Sequence, residues 1–341
     1  MIILEPIYDT LEFKDISDEI YFTEYSDYIS NSRLSLINPD QGGSVKKYKE
    51  GFKMSSDSLV LGSAIHELIL QPELFELNES VNRPTAKMGA MADELYKTFI
   101  HSKYITEEDV IKASQKIDYY KDKMTKEKID KVISDCTEYW NFRSLHDLKT
   151  DETSKEQIYL DPKMREKCKL CVKSINENKE IQSLLHPEGL FEDPISLNEA
   201  ALFINFKATD SNTGKSVILK FKAKLDNFTI DLENNRLVLN DLKTTGHFLP
   251  KFINSMDTYH YWRQMGAYAW LMKAWCVKNY EMTNIESLTA NMLVVSTIPT
   301  YESEVFRVCR TKLLEGWREF VKLMKLVAEV YLSENKNHYV L

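Results

Sequence analysis

The chain has 341 residues, of which 44 are Lys or Arg and 52 are Asp or Glu, so its formal net charge is −8. Its hydrophobic fraction of 43% and charged fraction of 28% are those of a globular protein and exclude a disordered chain. The acidic balance argues against coating nucleic acid or an anionic membrane by bulk charge, although it leaves room for a local basic channel.

The first half of the chain is predicted to be mostly helical. Residues 1–60 combine short apolar pieces with turn signals. In residues 58–70 the apolar side chains recur at helical spacing, and Pro72 ends the run. Residues 89–185 are dense in charge and contain no Gly after the first position, which favours further helices.

The second half changes to strands. The pattern predicts strands at 202–206, 217–226 and 237–243, a helix at 259–279, a strand at 291–297 and a closing helix at 311–335. The first three strands are close in sequence and separated by turn residues, so they should form an antiparallel meander.

These elements predict an α/β (α+β) fold with a mixed central sheet flanked by helices. We expect a single domain over residues 1–341, with a helical part at 1–185 that wraps the core. The meander and one helix should occupy 186–310, and the closing helix 311–341.

Signals for other compartments are lacking, so a cytoplasmic location is expected. The N-terminus has no signal-peptide pattern, and no stretch has the length of a membrane helix. Five cysteines fit a reducing compartment. Cys168 and Cys171 form a CxxC without a second pair, which favours two thiols on a helix face over a metal site.

The segment with the most chemistry is the end of the third predicted strand. Asp241 and Lys243 are two apart and therefore point to the same face. Asp226 ends the preceding strand, and it can approach Asp241 if the two strands are hairpin neighbours. Two such carboxylates repel unless a divalent cation holds them, and a lysine beside them can orient water. The alternative is a solvated hairpin tip with an incidental salt bridge.

Four further residues are weaker candidates. Gln264 and Tyr268 are four apart on the predicted helix and share a face, which equally suits a satisfied core glutamine. His66 on the first clear helix and Glu199 at the start of a strand are, taken alone, ordinary residues.

In order, these residues resemble the PD-(D/E)XK nuclease superfamily, and within it the exonuclease VIII (RecE-type) branch, which is lambda-exonuclease-like. The resemblance rests on five pieces: 29–52, 58–75 with His66, 82–94, the core residues Glu199, Asp226, Asp241 and Lys243, and QMGAYAW with Gln264 and Tyr268. The resemblance implies a restriction-endonuclease-like core.

The resemblance also implies a mechanism. Asp226, Asp241 and the carbonyl group of Leu242 would bind one or two Mg²⁺ or Mn²⁺ ions, with Glu199 and His66 completing the shells. Lys243 would orient or help to deprotonate the attacking water, and Gln264 and Tyr268 would position DNA or the lysine. Relatives with an iron–sulfur cluster carry a four-cysteine pattern that this chain does not match, so no cluster is expected.

Several basic residues are candidates for DNA contacts: Arg83, Lys87, Lys220, Lys222 and Lys224. Lys220, Lys222 and Lys224 share a strand face with Asp226. This face could contact successive phosphates of a DNA backbone, or it could equally be an ordinary solvated strand face. Residues 259–263 place aromatic residues beside an arginine, which could stack a base or belong to an ordinary amphipathic helix.

The leading hypothesis is a metal-dependent exonuclease that resects double-stranded DNA ends, 5′ to 3′, in phage-type recombination. Its expected partners are DNA, a single-strand annealing protein and further copies of the chain, with no membrane. One alternative is a RecB- or CRISPR-adaptation-like nuclease on single-stranded or flap DNA. Another is a catalytically silent module that binds DNA ends.

Overall fold

The structure is a computed structural model that describes residues 1–51, 56–79, 82–120, 124–147, 155–189, 191 and 193–334. The chain forms two compact units. The first unit consists of Met1–Phe52 and Ile175–Leu341, and the second of Lys53–Ser174. Among the described helices, none is long and apolar enough to cross a membrane.

The described residues form strands and helices in alternating groups. The strands are β1 (Ile2–Lys14), β2 (Phe75–Asn78), β3 (Glu156–Tyr159), β4 (Ile195–Asp210), β5 (Ser216–Asp231), β6 (Arg236–Thr245), β7 (Ser287–Ser296) and β8 (Ser303–Arg307). The α-helices are α1 (Asp18–Thr23), α2 (Asn31–Ser35), α3 (Val45–Glu50), α4 (Asp57–Leu70), α5 (Ala86–Ser102), α6 (Glu107–Lys116), α7 (Lys126–Asp147), α8 (Pro162–Glu177), α9 (Lys179–Leu185), α10 (Phe252–Thr258), α11 (Tyr261–Tyr280) and α12 (Arg310–Glu334).

The first unit is built on a mixed six-stranded sheet in the order β1-β4-β5-β6-β7-β8. Only β6 and β7 are parallel among these neighbours, because the helices α10 and α11 connect them. The other four pairs are antiparallel. The predicted meander is thus present as β4, β5 and β6, and helices flank the sheet.

Two long helices, α11 and α12, cover the core face of this sheet. Trp270 and Trp317 stack between them with ring centroids 4.5 Å apart. The helices approach closely at two glycines, since a Cβ atom at Gly316 would collide with the carbonyl oxygen of Trp262. A Cβ atom at Gly266 would likewise collide with the backbone oxygen of Leu313 in α12. This close packing fixes the start of α11, which carries Gln264 and Tyr268.

The second unit is mainly helical and has its own core. Trp140 of α7 is buried, stacks on Phe99 of α5 and donates a hydrogen bond of 2.8 Å to the Ala92 carbonyl group. Thr106 caps α6 in a reciprocal arrangement with Asp109. A two-stranded parallel sheet, β2 with β3, completes the described part of this unit.

The structure differs from the predicted organisation at its N-terminal end. Residues 2–14 were assigned to the helical part, yet they form β1 at the edge of the sheet. The burial of an edge strand alternates only weakly along its sequence. The residues that pair with β1 lie in β4, about 200 positions later, so the local sequence pattern does not reveal this strand. The short strands β2, β3 and β8 were also not predicted. Residues 335–341 of the predicted closing helix and Phe52 lie outside the described residues.

Candidate metal centre

Three carboxylates lie in one row across three neighbouring strands. Asn198 pairs with Asn227 and Ala200 with Leu225, so the register places Glu199 of β4 opposite Asp226 of β5. The pairing of β5 with β6 begins at Asn227 and Asn240, and one step further places Asp226 opposite Asp241. The structure therefore brings together the three acidic residues that the sequence analysis singled out.

The row crosses β4 and β5 where their alternation is interrupted. Core side chains recur at every second residue, but they are three positions apart from Leu197 to Ala200 and from Leu225 to Phe228. Glu199 lies within the first of these steps and has a left-handed backbone with φ of 51°. Because such a conformation is costly for a residue other than Gly, we take it as a built feature of the site.

Asp226 and Asp241 are held by groups on β6 itself. The backbone N–H of Leu242 donates to Asp226 Oδ2 at 2.7 Å. Lys243 Nζ lies 2.7 Å from Asp241 Oδ2 and 3.5 Å from the Leu242 carbonyl oxygen. Asp241 is buried, whereas Asp226 and Lys243 are half-buried. Each carboxylate thus has at least one defined partner in the first unit.

Helix α11 supports the row from the core side. Gln264 Nε2 donates to Asp241 Oδ1 at 2.9 Å. Tyr268 lies one turn further along α11, on the same face as Gln264. Burial, together with the nearby acids, raises the pKa of Tyr268 well above its ordinary value, so it remains a neutral phenol. The predicted shared face of Gln264 and Tyr268 is confirmed.

Glu199 has a different partner from the other two acids. Lys224 Nζ lies 2.6 Å from Glu199 Oε2 and also forms an ion pair with Asp18 at the start of α1. Asp18 was not identified from the sequence. It is distant in the chain and no motif marks it, so only the fold brings it to this site.

The site carries more negative than positive charge. Burial and the neighbouring Asp226 raise the pKa of Glu199 to about 7, against the opposing effect of Lys224. Burial likewise raises the pKa of Asp226, although Lys243 acts in the opposite direction. Burial alone would lower the pKa of Lys243, but Asp241 and Asp226 raise it above its ordinary value. These shifts are typical of acids held together without full compensation.

The donor set fits a hard divalent cation. Glu199, Asp226, Asp241 and Asp18 supply four carboxylates against the two ammonium groups of Lys224 and Lys243, a formal charge of −2 when all are ionised. Carboxylate and carbonyl oxygens are the ligands that Mg²⁺ and Mn²⁺ prefer. A cation at the row would relieve the repulsion that raises the pKa values of Glu199 and Asp226.

Comparison with known proteins adds little to this geometry. No protein-family model matches the sequence, and no curated protein matches it. A solved structure of a "putative exonuclease" from Eubacterium rectale is similar over 96% of this chain and 95% of that chain, with 11% sequence identity and a TM-score of 0.48.

The three predicted DNA-binding lysines of β5 have partners within the first unit. Lys220 Nζ lies 3.1 Å from Asp27 Oδ2, and Lys224 pairs with Asp18 and Glu199. Lys222 is only 5% exposed, and its Nζ donates to the Tyr21 carbonyl oxygen at 2.6 Å. Residues 18–28 thus pair with all three lysines and bury Lys222, whereas the Lys220 side chain stays 49% exposed. Burial lowers the pKa of Lys222 to about 8.

The second unit contains the other two predicted DNA-binding residues, Arg83 and Lys87, and the predicted metal ligand His66. Arg83 is buried, and its Nε donates to Asp93 Oδ2 at 2.7 Å, so its guanidinium has a structural role there. Lys87 Nζ donates to the Asp118 carbonyl oxygen at 2.6 Å. His66 lies half-buried on α4, and its role as a metal ligand stays a prediction.

Cys168 and Cys171 are buried on α8, as expected for thiols on a helix face.

A polar row that was not predicted runs beside the carboxylates. Asn227 Nδ2 donates to Asn198 Oδ1 at 2.7 Å, Asn240 Nδ2 to Asn227 Oδ1 at 2.7 Å, and Asn291 Nδ2 to Asn240 Oδ1 at 2.9 Å. This asparagine ladder joins β4, β5, β6 and β7 one residue away from the acidic row. Because buried amides need partners, it helps to fix the strand register at the site.

Proposed function

We propose that this protein is a metal-dependent nuclease that hydrolyses phosphodiester bonds in DNA. The observation that supports it best is the row of Glu199, Asp226 and Asp241 with Lys243 beside Asp241. A row of carboxylates across three neighbouring strands, with one lysine beside it, is suited to phosphate chemistry, because it combines cation ligands with a donor for a phosphate oxygen.

In the proposed reaction each residue has a defined task. Asp226, Asp241 and the Leu242 carbonyl group would hold the cation, and Glu199 would complete its ligands. Bound Mg²⁺ or Mn²⁺ makes a water nucleophilic and polarises a phosphoryl oxygen. Lys243, whose pKa Asp241 and Asp226 raise, would orient the water or donate to a phosphate oxygen.

The overall reaction is hydrolysis. Water adds to phosphorus, the bond between phosphorus and the 3′ oxygen breaks, and a proton reaches the leaving oxygen. Gln264 holds Asp241 Oδ1, so that Oδ2 stays directed at Lys243. Tyr268, one turn along α11 on the same face as Gln264, would help to position that side chain.

The finer assignment is also a proposal. The chain would have a PD-(D/E)XK core of the exonuclease VIII type and would resect double-stranded ends, 5′ to 3′, beside a single-strand annealing protein. Because residues 18–28 occupy the lysines of β5, DNA would reach the carboxylate row without using that face unless those residues move. Oligomerisation and the phage-type setting rest on the sequence resemblance.

The test is DNA cleavage with Mg²⁺ or Mn²⁺ by the wild-type protein and by Asp241→Ala and Lys243→Ala. We expect loss of cleavage on the order of a hundredfold or more in each variant, with thermal unfolding showing that both still fold. Asp9→Asn, at an exposed carboxylate of β1, is the matched control and should cleave normally. Cleavage that survives both active-site changes would contradict the proposal. Blunt duplex, single-stranded and flap substrates distinguish the possible substrate classes.

A further inference from the structure

Three aromatic rings beside the carboxylate row form a stack that runs from a buried ring to an exposed one. Phe252 is buried, and its ring centroid lies 5.9 Å from that of Tyr261, with the two planes 24° apart. Tyr261 is half-buried and lies 5.6 Å from the ring of Tyr259, with planes 31° apart. Tyr259 is 57% exposed. The stack therefore ends in a tyrosine ring at the surface of the first unit.

An unusual backbone conformation brings these two tyrosines together. Residues two apart on a regular helix do not face each other. His260, between them, has a left-handed backbone with φ of 53° and precedes the first residue of α11. Its Nδ1 lies 2.7 Å from Glu319 Oε1 of α12, which holds the turn in place. A conformation of this cost, fixed by a neighbouring helix, indicates that the exposed ring is positioned rather than incidental.

The stack is continuous with the proposed site. Lys243 Nζ lies 5.5 Å from the centroid of the Tyr261 ring and 2.7 Å from Asp241 Oδ2. The middle ring of the stack is thus next to the lysine that would contact the phosphate. A nucleotide whose phosphate lies at Lys243 would have its base within the neighbourhood of the outer ring.

The other large side chains of residues 259–263 are already engaged. The Trp262 ring lies 4.8 Å from Lys312 Nζ. Arg263 is fully buried, with Nε donating to Asn31 Oδ1 at 2.9 Å and NH2 to Ser35 Oγ at 2.7 Å. The arginine in this segment therefore holds the fold and does not contribute to base stacking. Within this segment the open aromatic surface is that of Tyr259.

We propose that Tyr259 is a stacking subsite for an unpaired nucleobase next to the phosphate that the protein cleaves. The inference rests on the proposed nuclease function and deepens it, because it names a substrate feature: a terminal nucleotide that is separated from its complement. Every base offers a π face, so the subsite accepts any of the four bases. Unpaired ends would then be bound more tightly than fully paired ends.

The test uses a duplex whose unpaired terminal nucleotide is 2-aminopurine, with Ca²⁺ in place of Mn²⁺ and the full chain. Stacking on an aromatic ring quenches this fluorescent base. We expect quenching with the wild-type protein and with Tyr259→Phe, which keeps the ring. Tyr259→Ala should abolish the quenching and weaken binding of the unpaired end by on the order of tenfold or more.

The control is Tyr104→Ala, which removes a tyrosine of similar exposure, 65%, in the second unit. It should quench like the wild type. Quenching that persists in Tyr259→Ala, is lost equally in Tyr259→Phe, or is absent in the wild type would overturn the subsite. Cleavage with Mn²⁺ is measured separately. If the wild-type protein cleaves DNA but Tyr259→Ala still quenches the fluorescence, only the subsite is refuted. If the wild-type protein does not cleave DNA at all, the proposed function is refuted.

Discussion

Gln264 donates a hydrogen bond of 2.9 Å to Asp241, and this contact ties helix α11 to the strand that carries the proposed metal ligands. The two residues are 23 positions apart and meet because α11, which the glycine contacts hold against α12, packs on β6. The second oxygen of Asp241 stays with Lys243. We therefore expect Gln264 to position Asp241 in the proposed site.

Gln264→Ala should lower kcat for DNA cleavage about 10- to 100-fold while the protein stays folded, because one ligand of the cation loses its orientation. The measurement is steady-state cleavage together with Mn²⁺ affinity, which should also fall. Gln115→Ala, at an exposed glutamine of α6, serves as the control. An unchanged Mn²⁺ affinity in Gln264→Ala would show that the hydrogen bond does not orient a metal ligand.

Stability without metal should depend on pH through Glu199. Its pKa in the folded protein, about 7, lies above the ordinary value of 4.5, so the folded state binds the proton more tightly than the unfolded chain. The resulting stabilisation is complete below pH 4.5 and is lost as pH rises through about 7. Glu199→Gln should therefore be more stable than the wild type at pH 8 by about 1–3 kcal/mol.

Urea unfolding in EDTA at pH 5 and pH 8 measures this effect. The change in the free energy of unfolding between pH 5 and pH 8 should be smaller in Glu199→Gln than in the wild type. It should equal the wild-type change in Glu302→Gln, where the glutamate is exposed. If the free energy of unfolding changes between pH 5 and pH 8 by the same amount in the wild type and in Glu199→Gln, the pKa of Glu199 is not raised in the folded protein.

The asparagine ladder should contribute to stability. Asn240→Ala leaves Asn227 Oδ1 and Asn291 Nδ2 without their partner and opens a small buried space. We expect a loss of about 2–4 kcal/mol in the free energy of unfolding. Denaturant titration measures it, and Asn254→Ala on the exposed side of α10 should change stability little. A loss no larger than that of Asn254→Ala would mean that the ladder is not a stabilising network.

The central site was accessible from the sequence because its key contact is local. Asp226 and Asp241 lie on consecutive strands joined by a short turn, so strand alternation and hairpin geometry suffice to bring them together. The prediction that Lys220, Lys222 and Lys224 share one face of their strand is confirmed on β5, because the residues between and beside them, Leu219, Phe221 and Ala223, point into the core.

The covering of the β5 lysines could not be predicted in the same way. Asp18, Asp27 and Tyr21 meet the lysines only because the chain after β1 returns over the sheet, and the alternation of β5 alone does not distinguish a solvated face from a covered one. The edge strand β1 was missed for a similar reason, since its pairing with β4 spans most of the chain. Long-range contacts of this kind leave no local signal.

The central claim is that the carboxylate row binds a divalent cation, and titration calorimetry with Mn²⁺ tests it most directly. The wild-type protein should bind one or two ions, and binding should release protons near neutral pH because Glu199 is partly protonated there. Asp226→Asn combined with Asp241→Asn should abolish binding, while Asp9→Asn should leave it intact. Undiminished Mn²⁺ binding by the double variant, with its fold preserved, would contradict the account.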